Sequence, residues 1–520
     1  MNTQTDVIAE LYKRIPKKVL LCFSSGMIFG LLTHFYMLTH KLPNWDDLTN
    51  MNRYGTGAEF GRWFLEPIYH LFGKWSIPEV NGVLTILFLS IAACFLLLTL
   101  ELQTMTSAVL LPLMLMTFPS IACMMSFMFT VHLYAFAIMM CCIGTYLYRK
   151  YRFGFIPAVV LFVLSCGMYQ SYICFVAGIL VFCLLLDLLN GMTFKKVFLN
   201  GIKTAITLFV SLLGYMIVSK LAVPTLANYR SINTMGQVDL QRLPRLIMRS
   251  YKRILEYFVI EPYSFTSPMM QILNIILCIL IGVMIFWIAK ETNLFKEIKK
   301  GILLFLLSMM IPLALASIYI LAPETQDATM LMLFQYCFIY IMVVVLIEKC
   351  LIGVSPDKIK QRVNYVLGVS AMVATLLMAY NEYRVTNEAY FRTEIAFDRA
   401  YAYYNRIMMK VEEEPGYQYG DELALLGNFY PDLPPVVGYW MDDYKFEDMS
   451  GIAMENGLMT EGVRSSFLRI YLGIEIPDIE QERIKAVKES REYKEMPYYP
   501  EEGSLRRIDN IWVVRLHEDH

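Results

Sequence analysis

Apolar residues fill the first three quarters of the chain in runs of about 20, the length of α-helix that crosses the hydrocarbon core of a bilayer. About eleven such runs are predicted, at 19–39, 82–102, 106–126, 131–148, 154–171, 172–189, 202–221, 269–289, 302–321, 329–347 and 363–381. Lipid offers no partner to a backbone N–H or C=O, so each run is read as a helix. The first is too long for a removable signal peptide and lacks the small-residue cleavage pattern. From Asn381 the pattern changes. Residues 383–414 keep a helical period with Tyr390, Ile395, Phe397, Tyr401, Tyr404 and Ile407, and Pro415-Gly416 ends it. Short apolar runs follow at 423–426, 436–439, 467–471 and 511–516, separated by turn residues, with 510–516 the best strand. The expected architecture is a polytopic all-α membrane protein with a small α/β extracytoplasmic domain. The transmembrane domain spans 1–381 with long loops at 40–81 and 222–268, and the α/β domain spans 382–520.

Charge divides the chain at the same place. Of 520 residues 57% are hydrophobic and 18% charged, and the net charge is −1. Residues 1–381 hold 29 Lys+Arg against 18 Asp+Glu, whereas 382–520 hold 16 against 28. The near-zero total is therefore a basic, lipid-embedded part joined to an acidic, water-exposed one. A nucleic-acid binder would need a strongly basic module, and disorder is incompatible with this apolar content. Lys13, Arg14, Lys17 and Lys18 precede the first span. Arg149/Lys150/Arg152, Lys195/Lys196, Lys290/Lys296/Lys299/Lys300 and Lys358/Lys360/Arg362 fall on the same face when spans are counted. The positive-inside rule then puts the N-terminus inside and the loops 40–81 and 222–268, with the C-terminal domain, outside. All 11 cysteines lie at or before Cys350, so no disulfide framework is expected outside; a cysteine-free exterior suits a bacterial surface.

The loop 40–81 carries the candidate chemistry. It contains Trp45-Asp46-Asp47, then Arg53, Tyr54, Glu59, Phe60 and Gly61-Arg62-Trp63, with further glycines at 55 and 57. Two readings stand. Asp46 or Asp47 caps a short helix starting at Leu48, with Arg53 and Arg62 neutralising the acids. Alternatively, paired carboxylates within reach of guanidinium groups hold one acid ionised as a general base, and the aromatic rings offer flat surface to a sugar.

The loop 222–268 is the exception to positive-inside. Arg230, Arg242, Arg245, Arg249, Lys252 and Arg253 lie in it, and the last five fall on an amphipathic segment with Leu243, Leu246, Ile247, Ile254 and Phe258. These cations either adhere to anionic headgroups or hold a lipid-linked phosphate, for which the guanidinium fork is suited. Tyr169-Gln170-Ser171-Tyr172 interrupts an apolar run where two spans meet. It reads either as a functional polar group or as an inter-helix hydrogen bond. His132 beside Thr130 is an interfacial residue or a ligand, and Glu324 and Asp327 belong to a solvated turn. No GxxxxGK[ST], HExxH, GxSxG or Cys/His metal spacing occurs, which leaves ATPase, zinc-hydrolase and redox chemistry without support.

The eleven spans, Asp46-Asp47, Gly61-Arg62-Trp63, Tyr169-Gln170-Ser171 and the closing Met496-Pro-Tyr-Tyr-Pro and Val513-Val-Arg-Leu segments together resemble the bacterial Gtr-type (O-antigen or serotype-converting) glucosyltransferases of the GT-C superfamily. The resemblance implies a multi-pass protein of the bacterial cytoplasmic membrane. Such an enzyme takes a hexose from a polyprenyl-phosphate-linked donor and places it on a surface polysaccharide acceptor at the outer leaflet. It further implies Asp46 or Asp47 as the base of an inverting transfer, and Arg62 with one or more of Arg245, Arg249 and Arg253 on the donor phosphate. Arg53, Glu59, Trp63, Tyr169 and Gln170 complete the candidate substrate-binding set. Neither a metal nor a cofactor is expected. The alternative is a transporter or flippase for lipid-linked glycans, which would leave the paired carboxylates without a task.

Overall fold

A computed structural model describes residues 13–223, 225–227, 241–260, 263, 265–323, 328–352, 357–427, 446, 448–452 and 457–517. Arg230, Glu324, Asp327 and the expected run 436–439 lie outside the described residues. Among the described residues nine helices are long and apolar enough to cross a bilayer, or ten if one bent pair is a single span. The protein is a mostly helical chain with a small sheet near the C-terminus.

The helices follow the apolar runs. In chain order they are α1 (Lys17–Thr39), the short α2 (Trp45–Thr49) and α3 (Leu65–Phe72), then α4 (Val83–Thr99), α5 (Met105–Thr117) and α6 (Pro119–Ser126). Next come α7 (Val131–Lys150), α8 (Phe155–Cys166), α9 (Tyr172–Leu189), α10 (Phe194–Ala222) and α11 (Leu243–Leu255). The set closes with α12 (Pro268–Glu291), α13 (Ile298–Leu315), the four-residue α14 (Ile318–Leu321), α15 (Cys337–Ile352) and α16 (Lys358–Glu412). Helices α9 and α15 are buried along nearly their whole length. By contrast α10 and α13 present rows of exposed apolar side chains such as Ile206, Phe209, Leu213 and Phe305, as a lipid-facing helix does.

Two of the eleven expected spans differ. The run 106–126 is two helices bent by 48°. Pro119 opens the second with no N–H to donate, and Phe118 before it is extended, so the ladder stops there. The run 154–171 yields only the 12-residue α8, about 18 Å long at 1.5 Å per residue, against a core of about 30 Å. Past Cys166 the backbone finds partners elsewhere: the Gly167 carbonyl accepts from Phe64 N–H at 2.8 Å.

The two ends of the bundle differ in chemistry. At one end Lys18 donates to the Leu102 carbonyl at 2.7 Å, and Arg149 forms a double hydrogen bond with Asp187. There also Lys349 donates to Asn190, and Glu348 accepts from Gln103 and Thr104. At the other end the chain folds into a recess described below.

Helix α16 runs unbroken through residue 381 and is 55 residues long, about 80 Å. Up to Tyr390 its buried residues belong to the bundle core; from Ala400 they belong to a second core with Tyr404, Phe467 and Trp512. That second core is backed by strands β1 (Leu423–Leu426), β2 (Leu505–Ile508) and β3 (Ile511–Arg515) in the order β1-β3-β2. The first pair is parallel and the second antiparallel. The strand expected at 510–516 is β3. The run 467–471 is helical instead: α17 (Glu461–Phe467) continues into a π-turn through Leu472. The closing motif serves this domain, since Arg515 donates to the carbonyls of Tyr493, Lys494 and Met496.

Candidate functional site

Asn44 starts the local structure. Its side chain accepts from Asp47 N–H at 2.8 Å and caps α2, so the helix begins at Trp45 and neither Asp is the cap. This one-turn helix sends its two neighbouring carboxylates in different directions. Asp47 is fully buried. It pairs with Lys41, accepts from Ser76 Oγ at 2.5 Å and from Phe129 N–H at 3.1 Å, and so ties three chain segments together. Asp46 instead faces a recess of about 740 Å³.

The walls of that recess come from distant parts of the sequence. The loop supplies Trp45, Asp46, Asn50, Tyr54, Thr56, Glu59, Phe60 and Arg62; α7 and the 169–171 junction supply Tyr134, Tyr169, Gln170 and Ser171. An aliphatic side is built from Ile318, Leu321, Ala322, Leu331 and Met332. Ser450, from the C-terminal part of the chain, closes another edge.

The two sequence motifs meet here. Gly61 sits at φ +71°, a backbone that favours glycine, and a Cβ on it would fall 2.3 Å from the Tyr215 hydroxyl. That space is taken by a clamp. Gln170 Nε2 donates to the Phe60 carbonyl at 2.7 Å and to Tyr215 at 3.0 Å, and Tyr215 donates to the Gly61 carbonyl at 3.3 Å. The Trp63 indole lies against Gly167, so Trp63 supports the clamp from behind and does not line the recess. With the loop pinned, Arg62 donates to Thr56 at 2.6 Å and to Tyr134 at 3.1 Å, and its guanidinium stacks 5.0 Å from the Tyr169 ring. Glu59 accepts from Gly57 N–H at 3.2 Å at the rim.

Electrostatics distinguish Asp46 further. Partial desolvation by the recess walls pushes its carboxyl above the ordinary carboxylate value although the residue keeps an exposed edge; the Arg62 charge offsets part of the shift, and the Asp47 charge adds to it. A carboxylate held this way, solvent-reachable and beside a guanidinium, is chemically able to accept a proton.

The remaining sequence candidates lie outside the recess lining. Arg53 is exposed on the turn after α2. Helix α11 is amphipathic as expected, burying Leu246, Ser250 and Ile254 at four-residue steps. Arg245 on it is exposed. Arg249 donates to the Pro323 carbonyl at 3.0 Å and stacks 5.5 Å from the Tyr319 ring, behind the aliphatic wall. Arg253 pairs with Glu256 at 3.2 Å. His132 is buried edge-on to Phe72, away from the recess. Several lining residues carried no signal in the sequence. Tyr134 hides inside an apolar run, and Met332 and Ser450 reach the site only through the fold. Among the described residues no group of three His, Cys, Asp or Glu side chains converges as a metal site.

The profile described as glucosyl transferase GtrII matches residues 35–347, about three fifths of the chain. The chain belongs to the glucosyl transferase GtrII family. The matched region begins near the end of α1 and holds the Asp46 loop, the 169–171 junction and the aliphatic wall; the sheet-bearing C-terminal part follows it. No curated protein matches the chain.

Proposed function

We propose that this glucosyltransferase-family protein moves glucose from a polyprenyl-phosphate-linked donor to a surface polysaccharide, at the outer face of the bacterial cytoplasmic membrane. The carrying observation is one recess lined both by Asp46 and Arg62 and by an aliphatic set, Ile318, Leu321, Ala322, Leu331 and Met332. A lipid-linked sugar has that same split character. The orientation rests on the positive-inside rule: Lys18, Arg149 and Lys349 gather at the end of the bundle away from the recess, so the recess and the C-terminal domain face outward.

In this reading Asp46 accepts the proton of an acceptor hydroxyl as that oxygen bonds to C1 of the glucose. The C1–O bond to phosphate breaks, and polyprenyl phosphate leaves with the electron pair, so the anomeric centre inverts. Arg62, fixed by Thr56 and Tyr134, stabilises the charge that grows on the departing phosphate. The upward shift at Asp46 makes it a stronger base once ionised. Asp47 holds α2 in place and takes no proton. The cations of α11 act at the lipid headgroup level, steadying the donor's approach.

The test uses full-length protein in liposomes with labelled polyprenyl-phosphate glucose and polysaccharide from cells lacking the gene. Wild type labels the polysaccharide and releases polyprenyl phosphate. Asp46→Asn lowers that rate by about 10²–10⁴ with the protein still folded. Full transfer by Asp46→Asn removes the base assignment. Donor movement across the bilayer without release of polyprenyl phosphate replaces the transferase reading with a transporter.

A further inference from the structure

Helix α2 is held from both sides. Leu48 on it is buried in the core of the C-terminal domain, and α17 of that domain packs directly against it. Trp45 also leans on this core, meets Phe127 edge-on with ring centres 6.3 Å apart, and still lines the recess. Trp45, which precedes Asp46 in the chain, thus packs in part on the C-terminal core that the GtrII match leaves out.

The segment 448–452 makes the same connection from the opposite direction. Met449 and Ile452 are buried in the bundle core, and Ser126 Oγ donates to the Ser450 carbonyl at 3.3 Å. Gly451 has φ +84°, and a Cβ there would stand 2.3 Å from Ser126 Oγ and 2.8 Å from both Asn44 Nδ2 and the Phe127 ring. Asn44 is the cap of α2. One close backbone approach therefore joins the C-terminal part of the chain to the helix that bears Asp46, and leaves Ser450 on the recess edge.

The recess consequently has walls of two chemical kinds. Ile318, Leu321, Leu331 and Met332 give it an aliphatic wall that suits an isoprenoid stem. Trp45 and Ser450 add an aromatic face with a polar group, which suits a sugar ring: apolar C–H on the face, hydroxyls at the edge. Asp46 follows Trp45 directly in the chain. We infer that the Trp45–Ser450 wall is the acceptor subsite, taking a saccharide unit of the polysaccharide, and that the C-terminal part of the chain sets acceptor recognition through Gly451 and Leu48. This rests on the transferase reading above. It adds which wall each substrate meets and which residues select the acceptor: a ring stacked on Trp45 presents a hydroxyl to Asp46, which takes its proton as the glucose bond forms.

The two walls are distinguished by measuring KM for each substrate independently, with labelled polyprenyl-phosphate glucose and polysaccharide from cells lacking the gene. Trp45→Ala and Gly451→Ala each raise the polysaccharide KM about tenfold, the change worth ~1.4 kcal/mol, and leave the donor KM within about twofold. Trp45→Phe, which keeps an aromatic face, regains most of the loss and covers the case in which the alanine variant does not fold. Met332→Ala does the reverse, raising the donor KM alone. An unchanged polysaccharide KM in the folded Trp45 and Gly451 variants, or equal rises in both constants, overturns the acceptor subsite while wild-type transfer stands. A wild-type protein that releases no polyprenyl phosphate overturns the transferase reading, and the subsite falls with it.

Discussion

Residues 44–64 and helix α11 both set charged groups among aromatic or apolar neighbours, and the fold treats them differently. The first segment is fixed at every turn: Asn44 caps it, Asp47 pins it, and Gln170 and Tyr215 clamp it. Asp46, Glu59 and Arg62 thereby line one recess. Helix α11 turns its apolar face to the bundle, and Arg249 braces the Pro323 carbonyl behind the wall. Charge alone does not make a site; a charge held in place beside a cavity does.

This contrast is open to direct attack. After Asp46→Asn, the largest effect is expected at Arg62→Gln, with transfer reduced by about 10²–10³ and the fold intact, because in the proposed reaction a preorganised cation at the leaving phosphate is lost. The same variant moves the pH profile. Asp46 must be ionised to act, so transfer falls as pH drops through its raised value. Removing the Arg62 charge removes the influence that lowers that value, so the acid limb of kcat/KM shifts to higher pH in Arg62→Gln. A shift to lower pH would break the pairing of these two residues.

Asp47→Ala is expected to cost about 2–4 kcal/mol of stability, since Lys41 loses its counter-charge and Ser76 Oγ and Phe129 N–H lose their acceptor. Thermal unfolding in detergent measures it. Asp46→Asn leaves the unfolding temperature unchanged or higher, because a carboxyl raised by burial is favoured in its neutral form by the folded state. Equal destabilisation by both would erase the distinction between the adjacent acids. Gly61→Ala should cost about 1–3 kcal/mol through its positive φ and the contact with Tyr215, and lower transfer by loosening Arg62. On α11, Arg249→Ala is expected to slow transfer only three- to tenfold, about 1 kcal/mol, by loosening the Pro323 brace. Arg245→Gln, on the exposed face, should change it less than about twofold. If Arg245→Gln cost as much as Arg62→Gln, the two regions would have to exchange roles.

Much of the fold was legible because lipid imposes a length and a composition on every span. The apolar runs locate the helices, and the exceptions are local: Pro119 bends one, and Gly167 shortens another by giving its carbonyl to Phe64. The hairpin between β2 and β3 was missed although it had a signal. Asp509 and Asn510 both take positive φ, as a two-residue hairpin turn requires. Of the candidate residues, Asp46, Glu59, Arg62, Tyr169 and Gln170 line one recess, whereas Trp63 packs behind it on Gly167 and Arg53 is exposed outside the lining.

By itself the sequence determined most of the helices, the basic and acidic halves, and which loop gathers acids, guanidinium groups and aromatic rings. Each follows from hydropathy and charge, which act residue by residue. Only the tertiary structure decided which of two adjacent carboxylates faces the recess, and that the C-terminal domain holds the helix bearing both. Those outcomes depend on Lys41, Ser76, Phe129 and Gly451, which lie up to some 400 residues from Asp46 in the chain. Packing, not periodicity, brings them together.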